Sequence, residues 1–415
     1  MHAGQRDLDI VVYGATGFVG KLTAKYLARA AAGVRVALAG RSEERLAAVR
    51  QALGAGARDW PLIVADVSQP NELADLAAQT QVVASTVGPY LRYGLPVVGA
   101  CAAAGTDYVD VTGEVPFVRN SIDRYHKQAV DNGVRIVHSC GFDSVPSDLT
   151  VYALYRRAAE DDAGELGDTT FVLRGYSGGF SSGSAATMAE LLRASNDSEI
   201  RRMLDDPYSL SPERAAEPEL GPQPDVQLRR GAEIAPELAG LWTGGYLMAP
   251  YNTRCVRRTN ALLGWAYGRR FRYTETLSMG SSRVAAIMAG MTSATIAGAT
   301  RFGGTYLDLF PRSLVDRMTP AAGFGYSDQA GGYYKVETYT KSTRGARHVA
   351  TMVQHADPGY TATAMMLGES ALALAMDRDR LGDRCGVLTP VTAMGDVLLA
   401  RLSAAGVTIN TARLN

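Results

Sequence analysis

Short apolar runs alternate with amphipathic stretches over the first third of the chain. From Phe18 to Ala30 apolar residues recur at three- and four-residue spacing, Gly33 ends this helical stretch, and a second such stretch covers 116–131. Strands that alternate with helices are joined by right-handed crossovers, which predicts a doubly wound parallel sheet of the α/β class. The apolar runs, read as strands, are 8–13, 34–39, 62–65, 82–87, 108–111 and 134–139.

The pattern changes at about residue 146, where a second α/β or α+β domain is predicted. A helix is expected over 148–158, and strands over 169–176, 274–278 and 332–341 suggest a mixed or antiparallel sheet. Residues 205–240 are rich in proline and charge, which predicts a surface excursion. We therefore predict an N-terminal domain over 1–146 and a substrate domain over 147–385. The stretch 386–415 is read as a terminal helix that packs back on the first domain.

Composition narrows the class of protein. Lys plus Arg and Asp plus Glu are equal at 42 each, so net charge gives no reason to expect nucleic-acid binding. The four cysteines are scattered without metal-ligand spacing, and no signal-peptide core follows the first residues. We expect a cytoplasmic monomer or homodimer without a metal. The uncharged stretch 284–300 is too short and too rich in small residues to span a membrane, so a buried or amphipathic helix is expected, with peripheral lipid contact as the alternative.

A glycine motif follows the first strand and opens the first helix. Gly14 permits a tight turn, Gly17 lets backbone amides approach a pyrophosphate, and Gly20 lets the helix pack closely on the sheet. The amides and dipole at the start of the helix would face the anion. The alternative is a structural turn in a sheet that binds nothing. The dinucleotide-binding residues predicted here are Gly14, Ala15, Thr16, Gly17, Phe18, Val19 and Gly20.

The end of the second strand indicates which dinucleotide is bound. An NAD enzyme would place an acid there for the ribose diol, whereas this chain has Arg41 and Ser42, which suit a 2′-phosphate. NADPH is therefore the predicted cofactor of a Rossmann domain. Asp66, after the third strand, is expected at the adenine edge or as the cap of the following turn. After the fourth strand, the residues expected beside the nicotinamide ribose are Thr86, Val87, Gly88 and Pro89.

The catalytic group is less well defined by the sequence. No tyrosine stands four residues before any lysine, which excludes the Tyr-x-x-x-Lys mechanism of short-chain dehydrogenases. Because ligands bind beyond the carboxyl ends of parallel strands, polar residues there are candidates, although each could equally be a core residue or a helix cap. The catalytic candidates are Tyr90, His138, Cys140, Asp143 and Ser144, with Tyr93 and Glu114 as further donors nearby.

Six arginines crowd into nineteen residues around an apolar stretch, in a chain that is neutral as a whole. One interpretation is a solvated surface whose arginine stems cover Trp265 and Tyr267. The other is a docking surface for an acidic carrier domain. The arginines are Arg254, Arg257, Arg258, Arg269, Arg270 and Arg272.

Several motifs together resemble the saccharopine-dehydrogenase-like family, and within it the actinobacterial trans-acting enoyl reductases. They are GATGFVG at 14–20, AGR at 39–41, STVGPY at 85–90, DYVDVTGE at 107–114, GFDSVPSDL at 141–149, SGGFSSGSAATM at 177–188 and GVLTPVTAMGD at 386–396. The resemblance implies NADPH-dependent reduction of a carbon–carbon double bond in a carrier-bound polyketide or fatty acyl chain, in phthiocerol-type lipid biosynthesis. It implies as partners an acyl thioester and an acyl-carrier domain of a polyketide synthase. It supplies no catalytic residue.

Two other classes stay open from the sequence. An amino-acid dehydrogenase that acts on C–N bonds would need charged groups for its carboxylates, whereas an enoyl reductase needs an apolar slot. A lipid-associated protein that holds NADPH without turnover is the third hypothesis. In an enoyl reductase, hydride moves to the β-carbon while a donor polarises the thioester carbonyl and an acid protonates the α-carbon.

Overall fold

The computed structural model describes residues 6–178, 191–303 and 331–415. The chain divides into two compact units. The first unit runs to Val145 and takes up the chain again over Gly359–Ala405, and the second begins at Pro146 and includes Gly406–Asn415. The chain therefore re-enters the first unit at Gly359, whereas the sequence pattern predicted that it would do so at residue 386.

The helices and strands of the described residues follow in chain order. The helices are α1 (Phe18–Ala30), α2 (Glu43–Leu53), α3 (Pro70–Gln79), α4 (Tyr90–Ala104), α5 (Val115–Asp131), α6 (Val145–Glu160), α7 (Ser198–Asp205), α8 (Gly231–Ile234), α9 (Ala249–Leu262), α10 (Arg283–Phe302), α11 (Thr363–Met376) and α12 (Pro390–Ala404). The strands are β1 (Leu8–Tyr13), β2 (Val36–Gly40), β3 (Leu62–Val64), β4 (Thr80–Ser85), β5 (Asp107–Asp110), β6 (Arg135–Val137), β7 (Leu166–Ser177), β8 (Arg229–Arg230), β9 (Trp242–Gly245), β10 (Arg272–Gly280), β11 (Tyr333–Ser342), β12 (Arg347–Gln354), β13 (Gly386–Leu388) and β14 (Thr408–Leu414).

The first unit contains a parallel sheet in the order β13-β6-β5-β4-β1-β2-β3. β1 lies next to the central strand β4 and has all six residues buried, as expected for a strand covered by helices on both faces. The order reverses between β1 and β4, which is the topological switch point where dinucleotides bind. The predicted α/β class and the doubly wound parallel sheet are confirmed.

The returning segment closes the first unit around α1. Every residue from Thr363 to Leu374 of α11 is buried, and Gly368 approaches the Tyr26 ring so closely that a Cβ there would lie 2.7 Å from it. The Tyr26 hydroxyl donates to Glu369, whose other oxygen accepts from Arg401 Nε at 2.7 Å. These contacts tie the first helix to α11 and α12.

The second unit contains a mixed sheet in the order β14-β12-β11-β7-β10-β9-β8. β7 pairs parallel with β10 and antiparallel with β11, so the predicted mixed sheet is confirmed. The predicted helix over 386–415 is wrong at both ends. Residues Gly386–Leu388 pair with β6, and Thr408–Leu414 pair with β12 in the other unit, so only Pro390–Ala404 is helical. Strand β13 has only three residues and is followed at once by Thr389, the N-cap of α12, so the sequence pattern did not separate the strand from the helix.

Both interpretations of the arginine cluster are wrong for its first half. Arg254, Arg257 and Arg258 lie on α9 with 2–3% of their surface exposed. The three side chains donate to backbone carbonyls of the proline-rich segment, with Arg258 Nη1 at 2.6 Å from the Leu210 oxygen. Arg254 also pairs with Asp225 at 2.7 Å. The segment 205–240 is therefore held down along part of its length, and Tyr208–Ser211 is buried, because the arginines satisfy carbonyls that have no sheet partner.

The helix predicted within 284–300 is α10. It buries small residues and exposes large apolar ones. Its small residues Ala285, Ala289 and Ser293 face β9, where the Ser293 hydroxyl accepts from the Gly245 amide at 2.9 Å. Its large apolar residues are exposed at helical spacing and are Val284, Ile287, Met288 and Met291. In the described part of the chain, no helix is long and apolar enough to cross a membrane.

Candidate functional site

The glycine turn lies between β1 and α1 and packs against the end of β4. Gly14 has φ +86°, and a Cβ there would lie 2.8 Å from both Thr86 Oγ1 and Val87 Cγ2. Gly20 is still more confined, because its Cβ would lie 2.2 Å from the Gly14 oxygen. The Thr86 hydroxyl donates toward the oxygens of Tyr13 and Gly14, each at 3.2 Å. These contacts fix the turn to the two central strands.

The start of α1 fits the diphosphate of a dinucleotide. Gly17 is the N-cap, no side chain caps it, and the first turn contains no acid. Among the described residues, a Cβ at Gly17 would approach only the Gly14 oxygen, at 3.2 Å, so these residues leave room beside the start of the helix. Uncapped amides and the positive end of the helix dipole attract an anion. Phe18 is fixed by a ring contact with Tyr360 of the returning segment, at a centroid distance of 4.8 Å.

The end of β2 presents a cation where the 2′-phosphate of NADPH would lie. Arg41 is exposed, and Ser42 is the N-cap of α2, whose hydroxyl accepts from the Arg45 amide at 3.3 Å. The hydroxyl proton of Ser42 is then directed away from the helix and can be donated to a ligand. Asp66 accepts from the Ser68 amide at 2.8 Å and from its hydroxyl at 2.7 Å, and these bonds hold the pKa of Asp66 below its usual value. Asp66 thus caps its turn, the alternative considered for it above.

The segment after β4 is held by Glu114. The Gly88–Pro89 bond is cis, and α4 begins directly after it. The buried Glu114 carboxylate accepts from the amides of Tyr90 at 2.8 Å and Leu91 at 2.6 Å, so it caps α4. A carboxylate that accepts two amides at a helix N-terminus satisfies donors that have no partner within the helix. Glu114 therefore shapes the loop expected beside the nicotinamide ribose.

His138 belongs to a buried Asp–His–Ser network. Its Nδ1 lies 2.7 Å from Asp110 Oδ2, and its Nε2 lies 2.9 Å from Ser121 Oγ. At most 2% of the surface of any of the three is exposed. The other oxygen of Asp110 accepts from the Ser139 amide at 3.0 Å, and Ser139 has a left-handed φ of 67°. The network thereby fixes the chain as it leaves β6, and both ring nitrogens of His138 are used for this purpose.

The other catalytic candidates differ in their access to a ligand. The Tyr90 hydroxyl donates to the Ser85 oxygen at 3.1 Å, and burial raises the pKa of Tyr90 well above its usual value. Cys140 and Ser144 are also buried. Asp143 is half-buried, in the turn between β6 and α6, and burial raises the pKa of its carboxyl to about 6. Of the five candidates, Asp143 alone combines partial exposure with a carboxyl whose pKa is raised by burial.

Two residues of the site were missed by sequence reasoning. Asp110 organises β5, β6 and Ser139, and Thr363 accepts the Phe142 amide at 3.2 Å through its hydroxyl. Asp110 could have been noticed as an acid that ends an apolar strand, but nothing local indicates that Thr363 contacts residue 142. The motif at 177–188 lies outside the described residues from position 179 onward. In the described ranges, no cluster of three or more His, Cys, Asp or Glu could hold a metal ion.

Comparison with known proteins identifies the class. Residues 10–137 match the family described as saccharopine dehydrogenase NADP binding domain. Together with the parallel sheet and the glycine turn, this match defines an NADP-dependent oxidoreductase with a Rossmann domain. The solved structure of apo saccharopine dehydrogenase (L-Glu forming) from Saccharomyces cerevisiae overlays with a TM-score of 0.57, covering 98% of this chain and 100% of that one at 14% identity. At this identity the likeness concerns the fold alone.

Relatives with much higher identity define the family more narrowly. The chain is 61% identical to a Mycobacterium tuberculosis protein whose name assigns it provisionally as a trans-acting enoyl reductase, over 100% of both chains. It is 58% identical to the trans-acting enoyl reductase of Mycobacterium tuberculosis and 55% identical to that of Mycobacterium ulcerans, again over 100% of both chains. The protein belongs to the family of the trans-acting enoyl reductases.

Proposed function

We propose that this protein is an NADPH-dependent enoyl reductase that acts in trans on an acyl or polyketide chain carried as a thioester by a separate carrier domain. The observation that carries the proposal is the identity of 55–61% over the full length of relatives with that name. The uncapped helix start and Arg41 suit the diphosphate and the 2′-phosphate of the cofactor. The pathway is complex lipid biosynthesis.

The reaction needs a hydride, a proton and a polarised thioester carbonyl. NADPH, if held at the glycine turn, would supply the hydride for the β-carbon of the enoyl chain and would leave as NADP⁺. Asp143 is the residue that we assign to the proton of the α-carbon. It stands at the carboxyl edge of the sheet, on the β5–β6 side of the switch point, and its half-buried carboxyl keeps a proton to about pH 6. The buried network of Asp110, His138 and Ser121 positions the turn that carries it.

The first experiment measures turnover. The purified protein is mixed with deuterated NADPH and a crotonyl thioester, supplied either on an acyl-carrier domain or on a small soluble thiol. We expect oxidation of the cofactor and one deuterium on the β-carbon of the product. In a parallel assay with NADP⁺ in place of NADPH, oxidation of saccharopine or another amino acid would instead indicate the C–N dehydrogenase. Stoichiometric NADPH binding without turnover of any thioester would indicate a binding protein, and either result would refute the proposal.

The second experiment tests Asp143 with a matched control. Asp143→Asn should lower kcat by about 10²–10⁴-fold, the usual contribution of a positioned acid, and leave the Kd of NADPH unchanged. Asp123→Asn, at an exposed acid on α5, is the control and should have no effect. An unchanged pH profile of kcat in Asp143→Asn would exclude Asp143 as the proton donor.

A further inference from the structure

Helix α10 of the second unit exposes a stripe of large apolar side chains. Nine large apolar residues are exposed among the residues that the structure describes, and four of these lie within two turns of α10. Successive residues of a helix are about 100° apart, so these four form a stripe about 100° wide. A surface helix normally turns a stripe of this width toward its core. The stripe consists of Val284, Ile287, Met288 and Met291, which are 53–65% exposed.

The opposite side of α10 is the side that packs within the unit. Ala285, Ala289 and Ser293 are buried, and a Cβ at Gly244 of β9 would lie 2.9 Å from the Ala289 Cα. This close approach is made by small residues, and the large apolar residues of the stripe point away from β9. Contact of four large apolar side chains with water is unfavourable, which indicates a surface that binds an apolar partner.

The charge beside the stripe is basic at the start of α10. Arg283 is exposed, and the sequence 281–302 contains no acid. The guanidinium carbon of Arg230, on β8, lies 5.3 Å from the centroid of the Trp242 ring. Trp242 pairs with Gly280, three residues before Arg283, so this cation–aromatic pair lies beside the start of the helix. Tryptophan and arginine next to an apolar surface are typical of residues that lie at the level of lipid headgroups.

The size of the stripe distinguishes a lipid surface from a second copy of the chain. A side chain of this kind contributes about 60–120 Å² when it is buried completely. Because little more than half of each is exposed, the four together offer about 150–300 Å² of apolar surface. A stable protein interface needs about 800 Å² from each partner, whereas a helix on a membrane needs only to insert its apolar side chains. The flexible side chains of Met288 and Met291 also suit a fluid surface.

We propose that α10 binds the surface of a lipid membrane, with the stripe inserted among the acyl chains and with Arg230 and Arg283 at anionic headgroups. The helix then lies along the membrane, because its opposite side is occupied by β9. Such binding is peripheral, and anionic lipids strengthen it through the two arginines. The inference goes beyond the proposed function and does not depend on it, because neither the cofactor nor the thioester takes part.

The first test measures cosedimentation of the full chain with vesicles of pure phosphatidylcholine and with vesicles of phosphatidylcholine and phosphatidylglycerol in equal amounts. The stripe variant combines Ile287→Ser with Met291→Ser. The control variant combines Val130→Ser with Met376→Ser, at two apolar residues of the first unit that are 46% and 52% exposed. The stripe variant should bind both kinds of vesicle at least about tenfold more weakly than the wild type, because two inserting side chains are lost. The control variant should bind like the wild type.

A second pair of variants tests the two arginines. Arg230→Gln with Arg283→Gln should weaken binding to the mixed vesicles at least about fivefold and leave binding to phosphatidylcholine nearly unchanged. Salt should reduce this difference, because it screens the exposed charges. Arg124→Gln with Arg384→Gln changes two exposed arginines of the first unit and should have no effect on either kind of vesicle.

Failure of the wild type to bind either kind of vesicle would overturn the proposal, and so would equal loss in the stripe and control variants or loss in neither. A wild-type dimer that the stripe variant dissociates, seen by sedimentation equilibrium without lipid, would assign the stripe to a second copy instead. If the stripe variant has a much lower free energy of unfolding than the control variant, the chain itself covers the stripe and the proposal fails.

The proposed function is read out separately, by turnover of thioesters in the absence of vesicles. The small soluble thioester should be reduced at the same rate by the wild type and by all four double variants. If no protein reduces it but only the stripe variant loses both kinds of vesicle, the proposed function fails and the membrane surface stands. Slower turnover of a long-chain acyl thioester by the stripe variant alone would assign the stripe to the substrate and would overturn the membrane surface.

Discussion

Gly17 and Gly20 lie one turn apart at the start of α1, and the structure predicts opposite consequences for the same added methyl group. At Gly20 the new Cβ would lie 2.2 Å from the Gly14 oxygen, against an ordinary contact of 3.4–4 Å, so α1 must move by about 1 Å. Overpacking of this kind costs about 1–3 kcal/mol, and the better helix propensity of alanine returns up to about 1 kcal/mol. Gly20→Ala should therefore destabilise the fold by about 1–2 kcal/mol.

At Gly17 the protein itself tolerates the methyl group. The nearest atom is the Gly14 oxygen at 3.2 Å, which must yield by only a few tenths of an ångström, and the loss of a glycine N-cap costs at most about 1 kcal/mol. The methyl group would instead stand in front of the amides that approach the diphosphate. We expect Gly17→Ala to raise the Kd of NADPH at least about tenfold, which corresponds to about 1.4 kcal/mol.

The assay combines thermal unfolding of the cofactor-free protein with fluorescence titration of NADPH. Gly20→Ala should lower the melting temperature by about 2–4 °C per kcal/mol and change the affinity of the folded protein less than Gly17→Ala does. Gly17→Ala should lower the melting temperature less than Gly20→Ala does and weaken NADPH binding more. A folded Gly17→Ala protein with the wild-type Kd would refute the placement of the diphosphate at this turn.

Three further substitutions test other parts of the structure. Arg41→Ala should weaken NADPH by about 1.5–3 kcal/mol, the range of a hydrogen bond to a charged group, and leave NADH nearly unaffected, as measured by titration of both. Arg258→Met should lower the free energy of unfolding by about 1–3 kcal/mol in urea denaturation, because the buried Leu210 oxygen loses its donor. Glu275 is buried on β10, and Glu275→Gln should abolish the dependence of the free energy of unfolding on pH that this carboxyl causes. Burial raises the pKa of Glu275 to about 7, so the folded state holds the proton more tightly and the wild type loses stability as pH rises from about 4.5 to 7.

Each of these substitutions has a control in the same chain. Arg124→Ala, on α5, should not distinguish NADPH from NADH, and equal losses for both cofactors in Arg41→Ala would remove Arg41 from the phosphate site. Arg270→Met changes an exposed arginine of the same cluster and should leave stability unchanged, so equal effects at 258 and 270 would contradict the anchoring role. If the free energy of unfolding of Glu275→Gln falls as steeply with rising pH as that of the wild type, another group is responsible for the pH dependence.

Local sequence determined the cofactor half of the protein. Six apolar runs specify the parallel sheet, and the glycines at 14, 17 and 20 specify the turn that follows β1. The arginine that stands in place of an acid after β2 predicts NADPH, in agreement with the NADP-binding family that the chain matches. These features could be read because each one depends on neighbours within a few residues. A turn needs a glycine at a stated position, and a buried strand needs an unbroken apolar run.

The roles of the polar residues were decided only by the tertiary structure. His138 and Arg258 have ordinary sequence neighbours, yet one is enclosed with Asp110 and Ser121, and the other reaches a carbonyl 48 residues away. The return of the chain at Gly359 and the pairing of Thr408–Leu414 with β12 have the same origin. Whether a charged or polar side chain is a ligand, a cap or an anchor depends on which distant backbone groups lack partners, and the one-dimensional pattern does not contain that information.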